Sequence, residues 1–117
     1  MNRYTSTSTY TSPLQSVALG KFLPLESADM YYHTYPSYKC WHGVPSIGKA
    51  DLKDNQMPCW SLAALIAIIP NVDLTVWKDG TWVCSSWGKE FKADEKANNP
   101  IDACYRMIIG LKEEGLL

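Results

Sequence analysis

The thiol of Cys40 and the imidazole of His42 are two residues apart, a spacing that could support two kinds of chemistry. In a strand, both side chains lie on one face, where they could bind zinc together or act as nucleophile and base. Zinc sites of this kind normally combine two short-range ligand pairs, and a second pair is missing here. We therefore predict no metal site and no cofactor, with Cys40 and His42 as the weak candidates for metal ligands.

Cys59 is a second candidate nucleophile because it comes just before an apolar, helix-like segment. The N-terminus of a helix lowers the pKa of a nearby thiol, and His33 or His42 could act as the base. No motif surrounds this cysteine, however, and the chain has no G-x-S-x-G, P-loop or H-E-x-x-H motif. We interpret Cys59 as a buried structural residue, assign no catalytic residue, and favour a protein that is not an enzyme.

The chain is rich in aromatic side chains, with five Trp and seven Tyr among 117 residues. Most of them lie in two segments, Met30–Trp41 and Val72–Trp87. Aromatic residues on a sheet pair across strands, stack on bases or sugars, or anchor a protein interface. A small domain cannot bury all five indoles, so we expect some of them to form a binding surface. The candidate binding residues are Tyr32, Tyr35, Trp41, Trp77 and Trp87.

The charges argue against a general nucleic-acid binder. Eleven Lys and Arg residues are balanced by twelve Asp and Glu residues, for a formal net charge of -1, whereas phosphate binding relies on a positive field. The balance also holds locally, because the lysines around the second aromatic segment have carboxylates close by in sequence. These residues are Lys78, Lys89, Lys92 and Lys96, with Asp79, Glu90, Asp94 and Glu95. We therefore rank nucleic acid below protein as a partner.

No apolar run approaches the ~20 residues that a membrane-spanning helix requires. The longest run, Leu62–Ile69, has eight residues. Residues 1–12 are rich in Thr and Ser and lack the apolar core of a secretion signal. We expect a cytoplasmic protein that does not contact a membrane.

The first elements follow from helix signals and hydrophobic spacing. Residues 1–12 have no aliphatic side chains to bury, and we predict that they form a flexible arm. Pro13–Lys21 is predicted to be a short helix, with Pro13 in its first turn. Its predicted apolar face consists of Leu14, Val17 and Ala18.

The middle of the chain combines aromatic strands with an apolar helix. Met30–Tyr35 and Lys39–Val44 are predicted to be the strands of a loose hairpin, followed by a loop over Ser46–Met57. Pro58–Ile69 is predicted to be a helix that is buried on every side, with Ser61 as its N-cap.

The last part of the chain contains a hairpin and a second main helix. Val72–Trp87 alternates as a β-hairpin does, and Asp79-Gly80 is predicted to be its two-residue turn. Ala93–Asn98 is predicted to be a polar loop, and Asn99 caps a helix over about 100–114. The predicted apolar stripe of this helix is Ile101, Cys104, Tyr105, Ile108 and Leu111.

These elements indicate an α+β fold. Helices that alternate with antiparallel hairpins typically form two layers. We predict one small two-layer domain over residues 13–117, in which an antiparallel sheet that includes hairpin 72–87 packs against two main helices and a short N-terminal helix. The main helices are expected at about 60–69 and 100–114.

Three phrases of the sequence together resemble a known family. They are Gln15-Ser16 and Leu19-Gly20 with Leu25–Tyr32, then Pro58–Leu65 with Ile69-Pro70, and Asn99–Ile109 with Leu111-Lys112. The chain resembles small uncharacterised proteins encoded in gut Bacteroides-type genomes and in their phages and mobile elements. The resemblance covers most of the chain except the N-terminal arm and the loop before Pro58. It implies a cytoplasmic accessory protein and no particular activity.

The sequence therefore leads to three functional hypotheses. The first is a non-enzymatic interaction module of a phage or mobile element, which binds a protein partner, or a second copy of itself, through exposed aromatic residues. The alternative is a nucleic-acid-binding accessory protein, which the resemblance and the lysines near the hairpin favour. A Cys/His zinc site or enzyme ranks third.

Overall fold

The computed structural model describes the main chain of residues 9–35 and 40–117 and the side chains of residues 9–33 and 44–117. Across these ranges the protein has three α-helices and two three-stranded antiparallel sheets, which confirms the predicted α+β class. The elements are α1 (Pro13–Gly20), β1 (Met30–Tyr35), β2 (Cys40–Ile47), β3 (Gln56–Cys59), α2 (Leu62–Ile68), β4 (Asp73–Val76), β5 (Trp82–Trp87), β6 (Lys92–Ala97) and α3 (Pro100–Glu113). None of the helices in these ranges is long and apolar enough to span a bilayer.

Contacts within the chain divide it into two compact units. The first unit is Tyr10–Ala64, and the second contains Thr9 and Leu65–Leu117 of the described residues, so the division falls inside α2. Each unit contains one of the two sheets, and the aromatic strands and the later hairpin therefore belong to different sheets. The single domain over residues 13–117 stays a prediction.

β1 is the central strand of the first sheet, whose order is β2-β1-β3. The bounds of β1 match the prediction, and its hairpin with β2 is confirmed, although β2 runs to Ile47 rather than Val44. The predicted loop and helix start are wrong over Gln56–Cys59, because these residues form β3 along the second edge of β1. Pro58 is compatible with β3 because one side of an edge strand makes no ladder hydrogen bonds.

α1 begins with a capping box. Ser12 Oγ accepts a hydrogen bond from the Gln15 N–H at 3.2 Å, and Gln15 Oε1 accepts one from the Ser12 N–H at 3.0 Å. Two main-chain donors that the helix itself cannot satisfy thus find acceptors at its first turn.

The apolar face predicted for α1 is wrong. Leu14 is 80% exposed and Val17 is 36% exposed, whereas Ser16 and Leu19 are completely buried. The polar Ser16 can point inward because its hydroxyl forms a hydrogen bond of 2.8 Å with the Thr11 hydroxyl. Sequence spacing could not reveal this partner, which lies outside the helix.

The predicted arm is too long at its C-terminal end. Residues 1–8 lie outside the described part of the chain, but Thr11 is completely buried. Its N–H donates to the Trp60 carbonyl at 2.9 Å, and Tyr10 forms a β-bridge with Ser61. Backbone pairing with the segment before α2 therefore orders these residues without any aliphatic side chain.

α2 starts four residues later than predicted, because β3 occupies the residues before it. The predicted cap is confirmed, since Ser61 Oγ accepts a hydrogen bond from the Ala64 N–H at 3.1 Å. Burial on every side is wrong: Leu65 is fully buried, but Ala63 and Ala67 are exposed.

The second sheet has the order β4-β5-β6. The hairpin of β4 and β5 is confirmed, but its turn is not the predicted two-residue type. The Trp77 N–H donates to the Thr81 carbonyl at 2.8 Å, and the Gly80 N–H donates to the Trp77 carbonyl at 3.0 Å. The connection therefore has three residues, with Gly80 alone at a positive φ of 92°, as in a type I turn followed by a bulge.

β6 lies over most of the predicted polar loop, so that prediction is wrong. Its outward side chains are charged, while Ala93 and Ala97 are half-buried or buried. The main chain of β6 pairs with β5. The polar sequence of β6 did not predict this pairing. At this edge of the sheet, Arg106 Nη1 of α3 donates to the Lys96 carbonyl.

α3 packs against β5 and β6, and its predicted ends are confirmed. Asn99 Oδ1 accepts from the Asp102 N–H at 2.8 Å. At the other end the Leu116 N–H donates to the Leu111 carbonyl at 2.8 Å, and Gly115 has a φ of 71°. This arrangement is a Schellman motif. Its fully or nearly fully buried residues are Ile101, Ala103, Cys104, Met107, Ile108 and Leu111.

We predict that Thr11→Val destabilises the protein by about 1–3 kcal/mol, because the substitution removes the acceptor of a buried donor. The Trp60 N–H donates to Thr11 Oγ1 at 3.1 Å, and Trp60 is completely buried. Urea unfolding followed by circular dichroism measures the effect. Thr9→Val is the matched control, because Thr9 is exposed and should change stability by no more than about 0.5 kcal/mol. Equal effects at the two positions would contradict the role of Thr11.

Candidate functional site

The second sheet has two chemically different faces. On β5, Cys84 and Ser86 are fully buried on the inner face, which faces α3, whereas Trp87 is 43% exposed on the opposite face. Because side chains alternate along a strand, Val83, Ser85 and Trp87 share that opposite face, which we call the outer face. Trp82 is half-buried and has the opposite parity to Trp87 along β5.

A groove of about 780 Å³ runs along the outer face. Trp77 and Trp87 both line it, and they are 48% and 43% exposed. The hairpin thus brings together two of the five predicted binding residues. We call this feature the indole groove.

One indole of the groove already holds a cation. Lys96 Nζ of β6 lies 4.6 Å from the centroid of the Trp77 ring, a cation–π contact. The Trp87 ring makes no such contact with any residue in the described ranges. The main chain of Trp87 is held in place by Asn71, whose Nδ2 donates a hydrogen bond of 2.9 Å to the Trp87 carbonyl.

Two carboxylates and a hydroxyl form a row across the middle of the groove. The strand register sets Asp73 of β4 and Asp94 of β6 on either side of Ser85. Ser85 Oγ donates to Asp94 Oδ1 at 2.5 Å. Lys92 is paired with Trp87 at the end of the groove. With Lys96, the groove carries two positive and two negative side chains, so its net charge is zero.

A close contact between Phe91 and Gly88 shapes one end of the groove. The Gly88 N–H donates to the Phe91 carbonyl at 2.9 Å. A Cβ atom on Gly88 would lie only 2.4 Å from Cε1 of the Phe91 ring. The ring therefore lies directly over the glycine main chain, where any larger residue would displace it.

Sequence reasoning did not assign Phe91, Asp73, Ser85 or Asp94 to a site. The sequence predicts a loop over residues 93–98, in which Asp94 is only a carboxylate close to the lysines. The available signal was the pattern of residues 92–97, in which Lys92, Asp94 and Lys96 alternate with Ala93 and Ala97 and only Glu95 interrupts the alternation of charged and apolar positions. Alternation of this kind is typical of an edge strand.

The other predicted binding residues do not join this groove. Tyr32 is only 3% exposed, so its assignment to an exposed binding surface is wrong. Its hydroxyl donates to the Thr11 carbonyl at 2.7 Å, and burial raises its pKa well above the usual range. The side chains of Tyr35 and Trp41, and those of the weak metal candidates Cys40 and His42, lie outside the described ranges.

Cys59 lacks the environment of a nucleophile. It is completely buried at the end of β3, where its thiol donates to the Thr11 carbonyl at 3.5 Å. Burial raises the pKa of the thiol, although hydrogen bonds from Thr11 and Ser16 act in the opposite direction. The structure therefore supports the interpretation of Cys59 as a buried structural residue.

Cys84 and Cys104 are also buried, on the side of the second sheet away from the groove. A hydrogen bond to Cys84, together with burial, raises the pKa of the Cys104 thiol. Within the ranges that the structure describes, no three His, Cys, Asp or Glu side chains come together in an arrangement suited to a metal ion.

Comparison with known proteins gave no match to a family model, a curated protein or a solved structure.

We predict that Gly88→Ala lowers stability by about 1–3 kcal/mol, because the new methyl group must displace the Phe91 ring. The emission of nearby Trp87 should shift at the same time. Urea unfolding and tryptophan fluorescence measure the two effects. Gly110→Ala is the matched control: its Cβ would meet only Glu95 Oε1 at 3.6 Å, and it should gain about 0.5–1 kcal/mol in α3. A loss of similar size at Gly110 would contradict the explanation.

We also predict that stability falls as the pH rises past the ordinary thiol pKa. The unfolded chain releases the Cys59 proton there, whereas the folded chain retains it because its pKa is raised, so deprotonation favours unfolding. The urea midpoint should decrease between about pH 8 and about pH 10. Cys59→Ala should show a shallower decrease, with the remainder due to Cys104, whose pKa is also raised, and offset in part by Cys84, whose pKa is lowered by its hydrogen bond with Cys104. The same slope in parent and variant would show that Cys59 does not contribute.

Proposed function

We propose that this chain is a non-enzymatic interaction module that binds a protein partner through the indole groove. The observation that carries the proposal is the exposure of Trp77 and Trp87 by nearly half on the same groove. Large aromatic side chains that combine apolar area with few rotatable bonds are the residues that most often dominate protein interfaces. An indole left uncovered also loses the hydrophobic free energy of burial, which binding to a partner would recover.

The charges of the groove support a protein partner over nucleic acid. The second candidate function is a nucleic-acid-binding accessory protein, which the presence of Lys92 and Lys96 in the groove favours. Asp73 and Asp94 offset both lysines, and Lys96 is already directed at Trp77. Phosphate backbones require a surplus of positive charge, which this groove does not offer.

The groove also limits the size of the partner's contact. The outer face is three strands wide, about 14 Å at the usual strand spacing. A face of this width offers less contact area than the roughly 800 Å² that each partner buries in a standard interface. A short segment of another protein fits it better than a large flat surface, and a second copy of this chain ranks below such a segment. We further propose a cytoplasmic location and a phage or mobile-element context, both of which rely on the family resemblance.

The test is selection of a random peptide library on the immobilised chain. We expect enriched peptides with dissociation constants of about 1–100 μM, as is usual for short segments in weak interfaces. The variant Trp77→Ala/Trp87→Ala should lose at least about tenfold in affinity, which corresponds to 1.4 kcal/mol. Leu14→Ala is the matched control, because Leu14 is a large apolar residue that is 80% exposed in the first unit.

Three outcomes would contradict the proposal. The first is the absence of enriched peptides, and the second is equal loss of affinity in the Leu14→Ala control. The third is binding of single- or double-stranded DNA at low salt that depends on the two indoles, which would favour the nucleic-acid alternative. Circular dichroism of each variant verifies that it is folded.

A further inference from the structure

The charges in the indole groove are not evenly distributed, and their arrangement bears on which protein segment can bind there. Asp73, Ser85 and Asp94 lie in one row across the three strands. Neighbouring strands are about 4.8 Å apart, so the two aspartates start roughly 10 Å from each other across β5. Ser85 between them is small, and the groove has open space above its side chain.

The two lysines of the groove do not neutralise this row. Lys96 is directed at the Trp77 ring, and Lys92, the cross-strand neighbour of Trp87, forms no ion pair with either aspartate. Asp94 uses one carboxylate oxygen to accept from Ser85. The Asp73 carboxylate makes no hydrogen bond or ion pair with the parts of the chain that the structure describes. The middle of the groove is therefore locally acidic although its net charge is zero.

The internal contact of Lys96 with Trp77 demonstrates that an indole on this face can hold a cation. Trp87 presents a second indole, one pleat repeat from the aspartate row, and no described residue stacks a cation on it. A cation–π contact with Trp is the strongest of its type, and a nearby carboxylate adds a charge-assisted hydrogen bond. The aspartates and the Trp87 ring are thus both suited to binding the same group, a cation.

We propose that the partner's segment carries an arginine or lysine whose cationic group enters above Ser85, between Asp73 and Asp94 and against Trp87. This inference rests on the proposed function, since it names the chemistry of the segment that the groove binds. An acidic side chain would meet two carboxylates at the same position. A neutral one would leave the Asp73 carboxylate without a partner and Asp94 with Ser85 alone.

The experiment uses the peptides enriched by the library selection. We expect them to contain an arginine or lysine, and we expect replacement of that residue by citrulline or glutamine to lower affinity about tenfold. Asp73→Asn/Asp94→Asn should lower the affinity of the basic peptide by a similar factor. The same double variant should bind the neutral peptide as the parent does, because the interaction is already absent.

The matched control is Asp54→Asn/Glu26→Gln, which makes the same change in net charge on exposed residues of the first unit. It should alter affinity by less than about twofold, because neither residue lines the groove. Lys92→Met gives a change of opposite sign: removal of a positive charge from the groove should strengthen binding of the basic peptide.

The outcomes separate this inference from the proposed function. If peptides bind through the two indoles but need no basic residue, or tolerate its neutral replacement, the inference is overturned and the proposed function stands. If no peptide depends on the indoles, both are overturned. A loss with Asp54→Asn/Glu26→Gln equal to that with Asp73→Asn/Asp94→Asn would indicate net charge, not the aspartate row, and would also overturn the inference.

Discussion

The strict alternation of side chains along β5 is the constraint on which the second sheet depends. Cys84 and Ser86 are buried on the inner face, so the pleat places Val83, Ser85 and Trp87 on the other face. Pairing with β4 and β6 extends the same constraint to Asp73 and Asp94. A register slip of one residue would expose Cys84 and bury Trp87 together with charged neighbours. The packing that stabilises the inner face thus also determines which groups can meet a partner on the outer face.

The first unit is organised by polar contacts at positions where an apolar core would be expected. Thr11 connects four partners: its hydroxyl meets Ser16, Cys59 and the Trp60 N–H, and its carbonyl accepts from Tyr32. In the described ranges no buried side-chain nitrogen or oxygen is left without a hydrogen bond. Completeness of this kind stabilises a single arrangement, because moving one member would leave several others unsatisfied. It also explains why a cysteine next to a helix is a packing residue here.

Local signals predicted the elements that are specified by local chemistry. The caps at Ser61 and Asn99 and the alternation of Val72–Trp87 each act within a few residues, and the structure has all three features. β3 and β6 could not be recognised in the same way, because their strand form depends on partners far away in sequence. The same reason accounts for Tyr32, whose burial depends on Thr11. The groove could be predicted only in part. The aromatic content of the sequence pointed to Trp77 and Trp87, whereas the row of Asp73, Ser85 and Asp94 follows from the register of three strands, which the sequence does not reveal.

The hydrogen bond from Arg106 to the Lys96 carbonyl has a consequence for how chains of this protein meet one another. β6 is an edge strand, and the free main-chain groups of an edge can template the addition of strands from other molecules. Here a guanidinium from the helix behind the sheet occupies one of those acceptors, and charged side chains alternate along the strand. The opposite edge, β4, is only four residues long. Both edges of the second sheet therefore carry features that disfavour the addition of strands from other molecules.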